Sequence, residues 1–361
     1  MPREKKSASK LELREALMLI SPGTPLREAI ASIIQSRNGA LICIGDTKRL
    51  AELSEGGVEL DAPCTPQLLY ELCKMDGAII LKPDASRIVY ANRFLKPDSS
   101  IPSKETGMRH RTAERFARQA KCIVVAVSER RASVTLFVQG KKQSLDSIPT
   151  LLNKATQAIQ ALDKYIQVLN EDTTDLTARE FEDMVTIFDV CKAVQRYEMV
   201  RRIAREIEPY LLELGTEGRL IEMQLKEFLI PLEEAELVVK DYCRPKPGAS
   251  YESVVERIGQ ISQQDLLDLG EISQELGYGS NLKSIDTYLS SRGYRVLTQT
   301  RRLTPQIIDN LVARFGSLQQ VMRAPKEELV AVEGVGEVLA ERVRLSLNSL
   351  RNQLAFDRGR R

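Results

Sequence analysis

The chain has 361 residues, of which 43% are hydrophobic and 28% charged, and its formal net charge is +2. This length suffices for two or three domains with buried cores, and so small a net charge does not by itself indicate a nucleic-acid-binding protein. We expect neither a membrane-spanning helix nor a signal peptide, because no apolar run is long enough, and we therefore expect a cytoplasmic protein.

Residues 1–145 alternate between helical and strand-like patterns. Helices are predicted at 25–39 and at 65–75, where Thr65 suits the N-cap and Pro66 the first helical position. Further segments follow in chain order: strand 40–45, two strands joined by a Pro-Asp turn within 77–92, helix 112–120 and a strand pair at 122–140. We predict an α/β domain with a mixed sheet covered by helices on both faces.

Residues 146–290 have the pattern of long charged helices. Apolar residues recur at spacings of 4, 3, 4 and 3, which predicts a seam for packing against another helix. They are Ala155, Ile159, Leu162, Ile166 and Leu169. Breaks are expected at Gly215, at Pro231 and within 244–250. No group of residues typical of a catalytic or binding site is apparent in this region, so we interpret it as an all-α linker or spine domain.

Residues 291–361 form a third predicted domain, with 13 Lys and Arg against 7 Asp and Glu. Two helical pairs are expected, and the second turns at Gly334-Val335-Gly336. A helix N-terminus offers free N–H groups, and glycines let a phosphate approach closely. We expect Val335 to be buried between the helices. The pattern resembles the helix-hairpin-helix family of DNA-binding modules, with Arg342 as a further contact; a plain helical hairpin stays the alternative.

Two other kinds of site are not expected. The six cysteines include no C-x-x-C pair and the chain has one histidine, so we predict buried thiols in a reducing compartment and no structural zinc. Residues 128–135 superficially resemble the core of a nuclease family that also ends in a helix-hairpin-helix pair. Thr135 stands at the aspartate position, which leaves too few carboxylates for a two-metal site.

The segment ETGMRHRTAER, residues 105–115, contains the only histidine, His110, between Arg109 and Arg111. Guanidinium groups, hydroxyls and a helix N-terminus together make a site for a polyphosphate, although a solvated basic helix start is the alternative. Asp76 and Gly77 precede a predicted strand, and an acidic residue there would complement the cations by binding a divalent metal.

The motifs DGA at 76–78 and RHR at 109–111, in a domain that opens with SPGTPLREAI, closely resemble the diadenylate cyclase family. With the helical middle and the C-terminal hairpins, the whole chain resembles the DNA integrity scanning proteins. That resemblance implies the condensation of two ATP into cyclic di-AMP and two pyrophosphates, with Mg²⁺ or Mn²⁺. It also implies a homo-octamer with cyclase domains face to face, and inhibition by branched DNA such as Holliday junctions.

The resemblance also implies roles for individual residues. Asp76 would bind the metal and help activate the 3′-hydroxyl, and Leu95 would line the adenosine pocket. Arg109 and Arg111 would neutralise the pyrophosphate, whereas His110 would act either in proton transfer or as a phosphate ligand. The remaining ATP contacts implied are Gly77, Ala78, Thr106, Gly107, Met108, Thr112 and Ser128.

The sequence departs from the family at Met108, where a side chain with a hydroxyl is expected. Its backbone N–H can still bind phosphate, but a side-chain hydrogen bond is lost. A catalytically weak or inactive nucleotide sensor that serves as a DNA-junction scaffold is therefore the alternative function.

Overall fold

The computed structural model describes residues 13–130, 132–245, 249–280 and 286–358. The chain forms two compact units. The first comprises Met1–Gln157 and Glu206–Met223, and the second comprises Ala158–Arg205 and Gln224–Arg361. Each unit is described by itself.

The first unit combines helices with one large sheet. Its helices are a segment at 13–19, α1 (Pro25–Gln35), α2 (Thr47–Glu52), α3 (Pro66–Leu72) and α4 (Met108–Ala120). Its strands are β1 (Ala40–Ile44), β2 (Ser54–Glu55), β3 (Val58–Pro63), β4 (Ala78–Leu81), β5 (Arg87–Leu95), β6 (Ile123–Ser128), β7 (Ser133–Val138) and β8 (Lys141–Leu145).

Within the described residues these eight strands form one mixed sheet. The strand order is β2-β5-β4-β1-β6-β7-β8, and β3 also pairs with β5. Strands β1 and β4 are parallel, whereas the other pairs are antiparallel. The α/β prediction for the N-terminal region is therefore confirmed.

Strand β1 is buried on both faces of the sheet. Ile42 and Ile44 belong to one hydrophobic cluster, which includes the apolar face of α1. Leu41 and Cys43 belong to another, which includes the buried face of α4. Successive side chains of a strand point to opposite faces, so an uninterrupted apolar run needs a covering layer on each side. The predicted two-sided covering is confirmed.

The helix boundaries follow their capping residues. Thr65 accepts a hydrogen bond from the Leu68 N–H at 3.3 Å, and α3 begins at Pro66 as predicted, although it ends at Leu72. Helix α4 begins at Met108, four residues before the predicted start. Gly107 has an extended backbone (φ −80°, ψ 137°) and serves as N-cap. The arginine-histidine segment thus lies inside the first turn of α4 rather than before it.

Three helices have residues in both units: α5 (Ile148–Glu182), α6 (Ile187–Leu214) and α7 (Arg219–Leu229). The helices of the second unit are α8 (Glu233–Tyr242), α9 (Tyr251–Gln260), α10 (Leu269–Leu276), α11 (Tyr294–Thr298), α12 (Pro305–Phe315), α13 (Leu318–Arg323), α14 (Lys326–Val330) and α15 (Glu337–Arg358). Strands β9 (Val185–Thr186) and β10 (Tyr288–Leu289) pair with each other.

The helical pattern predicted for the middle of the chain is confirmed. All five residues of the predicted seam on α5 are buried. Short 3₁₀ turns at Gly215–Gly218 and Ile230–Leu232 interrupt the helices where breaks were predicted. Part of the third predicted break, residues 246–248, lies outside the described residues.

A buried polar network surrounds Arg295 at the start of α11. Its guanidinium donates hydrogen bonds to Glu180 and, at 2.9 Å, to the Thr177 hydroxyl on α5. The Asp241 carboxylate accepts the backbone N–H groups of Tyr294 and Arg295 at 2.6 and 3.0 Å. Burial, together with the nearby Glu180 carboxylate, raises the pKa of Asp241 to about 7. These contacts fasten α11 to α5 and α8.

The cysteines are buried free thiols, as predicted. Burial raises the pKa of Cys73, Cys122 and Cys191 to about 12 in each case. Among the described residues, every helix is too short or too polar to cross a lipid bilayer.

Candidate functional site

Four neighbouring strands of the sheet bring predicted site residues to one end. The parallel register pairs Ile42 with Ile79, and Gly39 and Asp76 lie three residues before these partners, ahead of the first residues of β1 and β4. Antiparallel β5 pairs Arg93 with Ala78, so its last residue, Leu95, lies at that same end. Antiparallel β6 pairs Val127 with Ala40 and ends one residue later, at Ser128. Segments far apart in the chain therefore meet at one sheet edge.

Gly77 is required by the close approach of β5. Its φ is +94°, and a Cβ on it would lie 2.9 Å from the Arg93 carbonyl oxygen and 3.0 Å from Asn92 Oδ1. Asn92 itself has a left-handed backbone (φ +56°). A side chain at residue 77 would meet backbone atoms that cannot rotate away. The turn therefore holds Asp76, which is exposed, at a fixed place beside β5.

The first turn of α4 faces outward. Gly107 caps the helix with its backbone and without a side-chain hydrogen bond, and Met108 is 81% exposed. The guanidinium of Arg111 folds back towards the preceding loop, where Nε donates to the Glu105 carbonyl at 3.2 Å. The ring of His110 meets the Phe137 ring edge to face, with centroids 6.2 Å apart. The N–H groups at a helix start and two guanidinium groups favour an anion here.

Arg109 crosses from α4 to the sheet end. A Cβ on Gly39 would lie 1.8 Å from Arg109 Nη1 and 2.6 Å from Cζ. The guanidinium thus occupies the space above Gly39, at the end of the sheet where Asp76 precedes β4, the parallel neighbour of β1. Gly39 was predicted only as the last residue of the helix at 25–39, because no local pattern indicates a contact across seventy residues.

Glu114 anchors the loop that leads into α4, although it was not among the predicted site residues. Glu114 is 6% exposed, and its carboxylate accepts hydrogen bonds from the Ser103 hydroxyl at 2.5 Å and the Lys104 N–H at 3.2 Å. It also pairs with Arg118 Nη2 at 2.7 Å. Arg118 in turn donates to the Pro102 carbonyl at 2.6 Å. Glu114 thereby fixes the path of residues 101–107 into the helix start.

The other residues predicted to bind ATP differ in exposure. Ala78 and Leu95 are buried in the cluster under α4, at 0% and 6% exposed. Thr106 is exposed, whereas Thr112 and Ser128 are half-buried. Ala78 and Leu95 therefore form the wall beneath the site, and the threonines lie near its surface.

A divalent metal would fit this site only together with its substrate. Asp76 contributes one exposed carboxylate, and the described residues contain no group of three or more His, Cys, Asp or Glu that could hold a metal. Mg²⁺ is commonly bound by one or two carboxylates, phosphate oxygens and water. The donor set thus suits a metal that arrives with a polyphosphate. Thr135, at the position where the nuclease pattern has an aspartate, is buried within β7.

The second hairpin of the C-terminal helical region turns at Gly334 and Gly336. Gly334 has φ +85°, and a Cβ there would lie 3.1 Å from Ile307 Cγ1. Val335 is buried, as predicted, at 5% exposed. A Cβ on Gly336 would have no neighbour within 4 Å, and its carbonyl accepts from the Leu339 and Ala340 N–H groups as α15 begins. The turn therefore exposes backbone at a helix N-terminus.

Comparison with known proteins identifies the family. Residues 27–142 match the model described as DisA bacterial checkpoint controller nucleotide-binding, and residues 145–285 match the DisA bacterial checkpoint controller linker region. A DNA integrity scanning protein DisA from Carboxydothermus hydrogenoformans is 48% identical over 342 residues, 94% of this chain and 97% of the relative. The chain belongs to the DisA family. The resemblance seen in the two motifs is thereby confirmed.

Other DisA relatives match along nearly the full chain. Those from Clostridium perfringens and Clostridium botulinum are 44% and 43% identical, and both alignments cover 96% of this chain and 98% of the relative. Among solved structures, DacA from Staphylococcus aureus aligns with 40% of this chain and 90% of its own, at 23% identity and a TM-score of 0.27. The sheet end described above lies within the nucleotide-binding domain of the DisA family.

Proposed function

We propose that this chain is a diadenylate cyclase that condenses two ATP into cyclic di-AMP and two pyrophosphates, and that branched DNA bound by its C-terminal region inhibits it. The observation that carries the proposal is the meeting of Asp76, Gly39 and the Arg109 guanidinium at one sheet end. A carboxylate for a metal, just before β4, and a cation for phosphates, brought by α4 over the residue before β1, suit the transfer of a nucleotidyl group.

The triphosphate would bind at the start of α4. The backbone N–H groups of residues 108–110 and the guanidinium groups of Arg109 and Arg111 would stabilise charge that develops on the leaving pyrophosphate. Asp76 would hold Mg²⁺ or Mn²⁺, which supplies Lewis-acid activation of the attacking 3′-hydroxyl when bound. Gly77 keeps the turn free of a side chain beside the nucleotide, and the wall of Ala78 and Leu95 excludes water from one side.

Two chains would be needed for one product. In the part of the chain that the structure describes, there is one DGA turn and one RHR helix, enough for one ATP. Because each 3′-hydroxyl attacks the α-phosphorus of the other nucleotide, two domains must face each other. This requirement supports a homo-oligomer, and the family resemblance implies a cytoplasmic octamer that signals DNA integrity.

The C-terminal helical region would bind the DNA backbone. The turn at Gly334-Val335-Gly336 presents N–H groups at the start of α15, and Arg342 stands on the same helix. Contacts of this kind provide affinity for phosphates and shape with little base recognition. This supports junction binding that is independent of sequence.

Incubation of the full chain with ATP and Mg²⁺ or Mn²⁺, followed by chromatography of the nucleotides, tests the cyclase proposal. We expect cyclic di-AMP from the wild type and none from Asp76→Asn, whereas Asp175→Asn, an exposed aspartate of α5, should retain activity. ATP binding by the wild-type protein without product would instead support the nucleotide-sensing scaffold that Met108 suggested.

Deletion of residues 291–361 tests the DNA proposal. Junction affinity should be lost while cyclic di-AMP synthesis continues, and a four-way junction should no longer inhibit the enzyme. Equal junction binding by the truncated and full-length proteins would place DNA binding elsewhere.

A further inference from the structure

An open groove runs beside the last helix of the second unit. One wall is the loop at 299–302, and the other is the face of α15 from Glu337 to Gln353. The volume of the groove is about 1190 Å³. That stretch of helix is about 24 Å long at 1.5 Å per residue, which matches about seven nucleotides of a DNA strand at 3.4 Å each.

The groove presents arginines without protein partners. Within the described residues, Arg301, Arg302 and Arg342 line it and make no hydrogen bond or ion pair. The two carboxylates of the groove are paired: Glu337 with Lys326 at 3.3 Å, and Glu341 with Arg344 at 3.6 Å. The charge left available to a ligand is therefore positive on both walls.

The loop that carries the arginine pair is fastened to the opposite wall. Thr300 is 1% exposed, and its hydroxyl donates to the Ser346 hydroxyl on α15 at 3.1 Å. Arg302 has φ +70°, a left-handed backbone that is uncommon for a residue with a side chain. A buried anchor and a left-handed backbone place Arg301 and Arg302 at the surface beside α15.

We propose that this groove holds the backbone of a duplex arm of DNA, with Arg301 and Arg302 bound to phosphates on one wall and Arg342 to a phosphate on the other. The inference rests on the proposed DNA binding and extends its surface from the Gly334–Gly336 turn along α15. Exposed Val338 and Leu345, on the groove face of α15, then contact deoxyribose. DNA fits better than an acidic protein because the groove begins at the N-terminus of α15, directly after that turn.

The experiment compares two full-length double variants. Arg301→Ala/Arg302→Ala removes the arginine pair, and Arg323→Ala/Arg351→Ala removes the same charge from exposed arginines outside the groove. Affinity for a labelled four-way junction is measured by fluorescence anisotropy over a range of salt concentrations. We expect the groove variant to bind on the order of tenfold more weakly, with a salt dependence reduced by about two phosphate contacts. The control should stay within about twofold of the wild type.

Further measurements test whether the loss of affinity arises from the two arginine side chains rather than from a change in folding. Thermal unfolding and cyclic di-AMP synthesis without DNA should match the wild type in both variants, and Arg301→Lys/Arg302→Lys should recover part of the affinity. Equal affinity of the groove and control variants would overturn the inference. The inference would also be overturned if the groove variant lost the wild-type protein's binding to polyglutamate but kept its junction affinity. That result would indicate that the partner of the groove is an acidic protein.

Two further results would distinguish failure of the proposed DNA binding from failure of the groove inference. If the wild-type protein binds no junction, or if deletion of 291–361 leaves binding intact, DNA binding by this region is wrong altogether. If Gly334→Val/Gly336→Val abolishes binding while the groove variant does not change it, the turn binds DNA and the groove does not.

Discussion

The guanidinium of Arg109 lies over Gly39, at a distance where even a single added carbon would collide with it. Gly39 immediately precedes β1, and Asp76 stands just before the parallel neighbour β4. The parallel pairing of two central strands thus brings the residue under the α4 cation and the turn that carries the carboxylate to the same end of the sheet. A rigid sheet is well suited to that task, since catalytic groups misplaced by about 1 Å can lose two orders of magnitude in rate.

Gly39→Ala should displace the Arg109 side chain and lower the rate of cyclic di-AMP synthesis by about tenfold. The fold should be unaffected, because the atoms displaced are the far end of a flexible side chain. Steady-state kinetics of the single variants and of Gly39→Ala/Arg109→Ala check the cause. If the alanine acts through Arg109, the double variant equals Arg109→Ala alone. Additive losses would contradict this explanation.

Gly77→Ala should destabilise the first unit by at least about 2 kcal/mol, because a left-handed alanine is strained and its Cβ meets the Arg93 carbonyl. Gly56→Ala is the matched control. Gly56 also has a positive φ, +67°, but a Cβ there would meet nothing within 4 Å. Only the conformational cost of about 1 kcal/mol is expected for the control. Urea denaturation measures both, and equal losses would show that the contact with β5 is unimportant.

Glu114→Gln should raise the KM for ATP more than it lowers kcat, since the loop that carries Thr106 would lose an anchor. We also expect a loss of stability of about 2 kcal/mol, because a buried charged hydrogen bond to Arg118 is removed. Glu71→Gln on α3 removes an exposed ion pair with Lys74 and should lower stability far less than Glu114→Gln. An unchanged KM in Glu114→Gln would remove Glu114 from this positioning role.

The stability of the second unit should fall as pH rises from about 4 to about 7. Asp241 has an ordinary pKa of 3.8 that burial raises to about 7 in the folded chain, so the folded state holds a proton that the unfolded state has released. That contribution is complete below pH 4 and is lost above pH 7. Asp241→Asn cannot titrate, so its stability should vary less across this range.

The backbone N–H groups of Tyr294 and Arg295 donate hydrogen bonds to Asp241. Hydrogen exchange of these two amides therefore measures the stability of the structure around Asp241. Protection of these amides should decrease from pH 5 to pH 8 in the wild type, after correction for intrinsic exchange. An identical decrease in Asp241→Asn would assign the effect to another group.

Short sequence patterns made part of the fold predictable. Thr65 with Pro66 marks a helix start, and the unbroken apolar run of β1 requires two covering layers, so both features follow from the sequence. Strand β3 could not be found in this way. It is an exposed strand, VELDAP, without a regular alternation of apolar and polar residues, and it exists because β5 offers it backbone partners. The formation of β3 depends on its pairing with β5 in the tertiary structure rather than on the pattern of its own residues.

The candidate site divides in the same way. The DGA and RHR motifs are contiguous residue types with recognisable chemistry, and both could be named from the sequence. Gly39 and Glu114 act through contacts that join separate segments, so their roles depend on the register of β1 and on the path of residues 101–107. The start of α4 at Met108 likewise depends on the extended backbone of Gly107, which composition alone does not reveal.

Helix α4 is secured mainly by its later turns. Glu114, Arg115 and Arg118 bind residues 101–104 of the preceding loop, whereas Met108, Arg109 and Arg111 of the first turn are exposed. The part of the helix that fixes its position is therefore separate from the first turn, which faces the site. This separation is useful for protein engineering. Residues 108–111 could be randomised to accept other anionic substrates while the three anchoring side chains keep the helix in place.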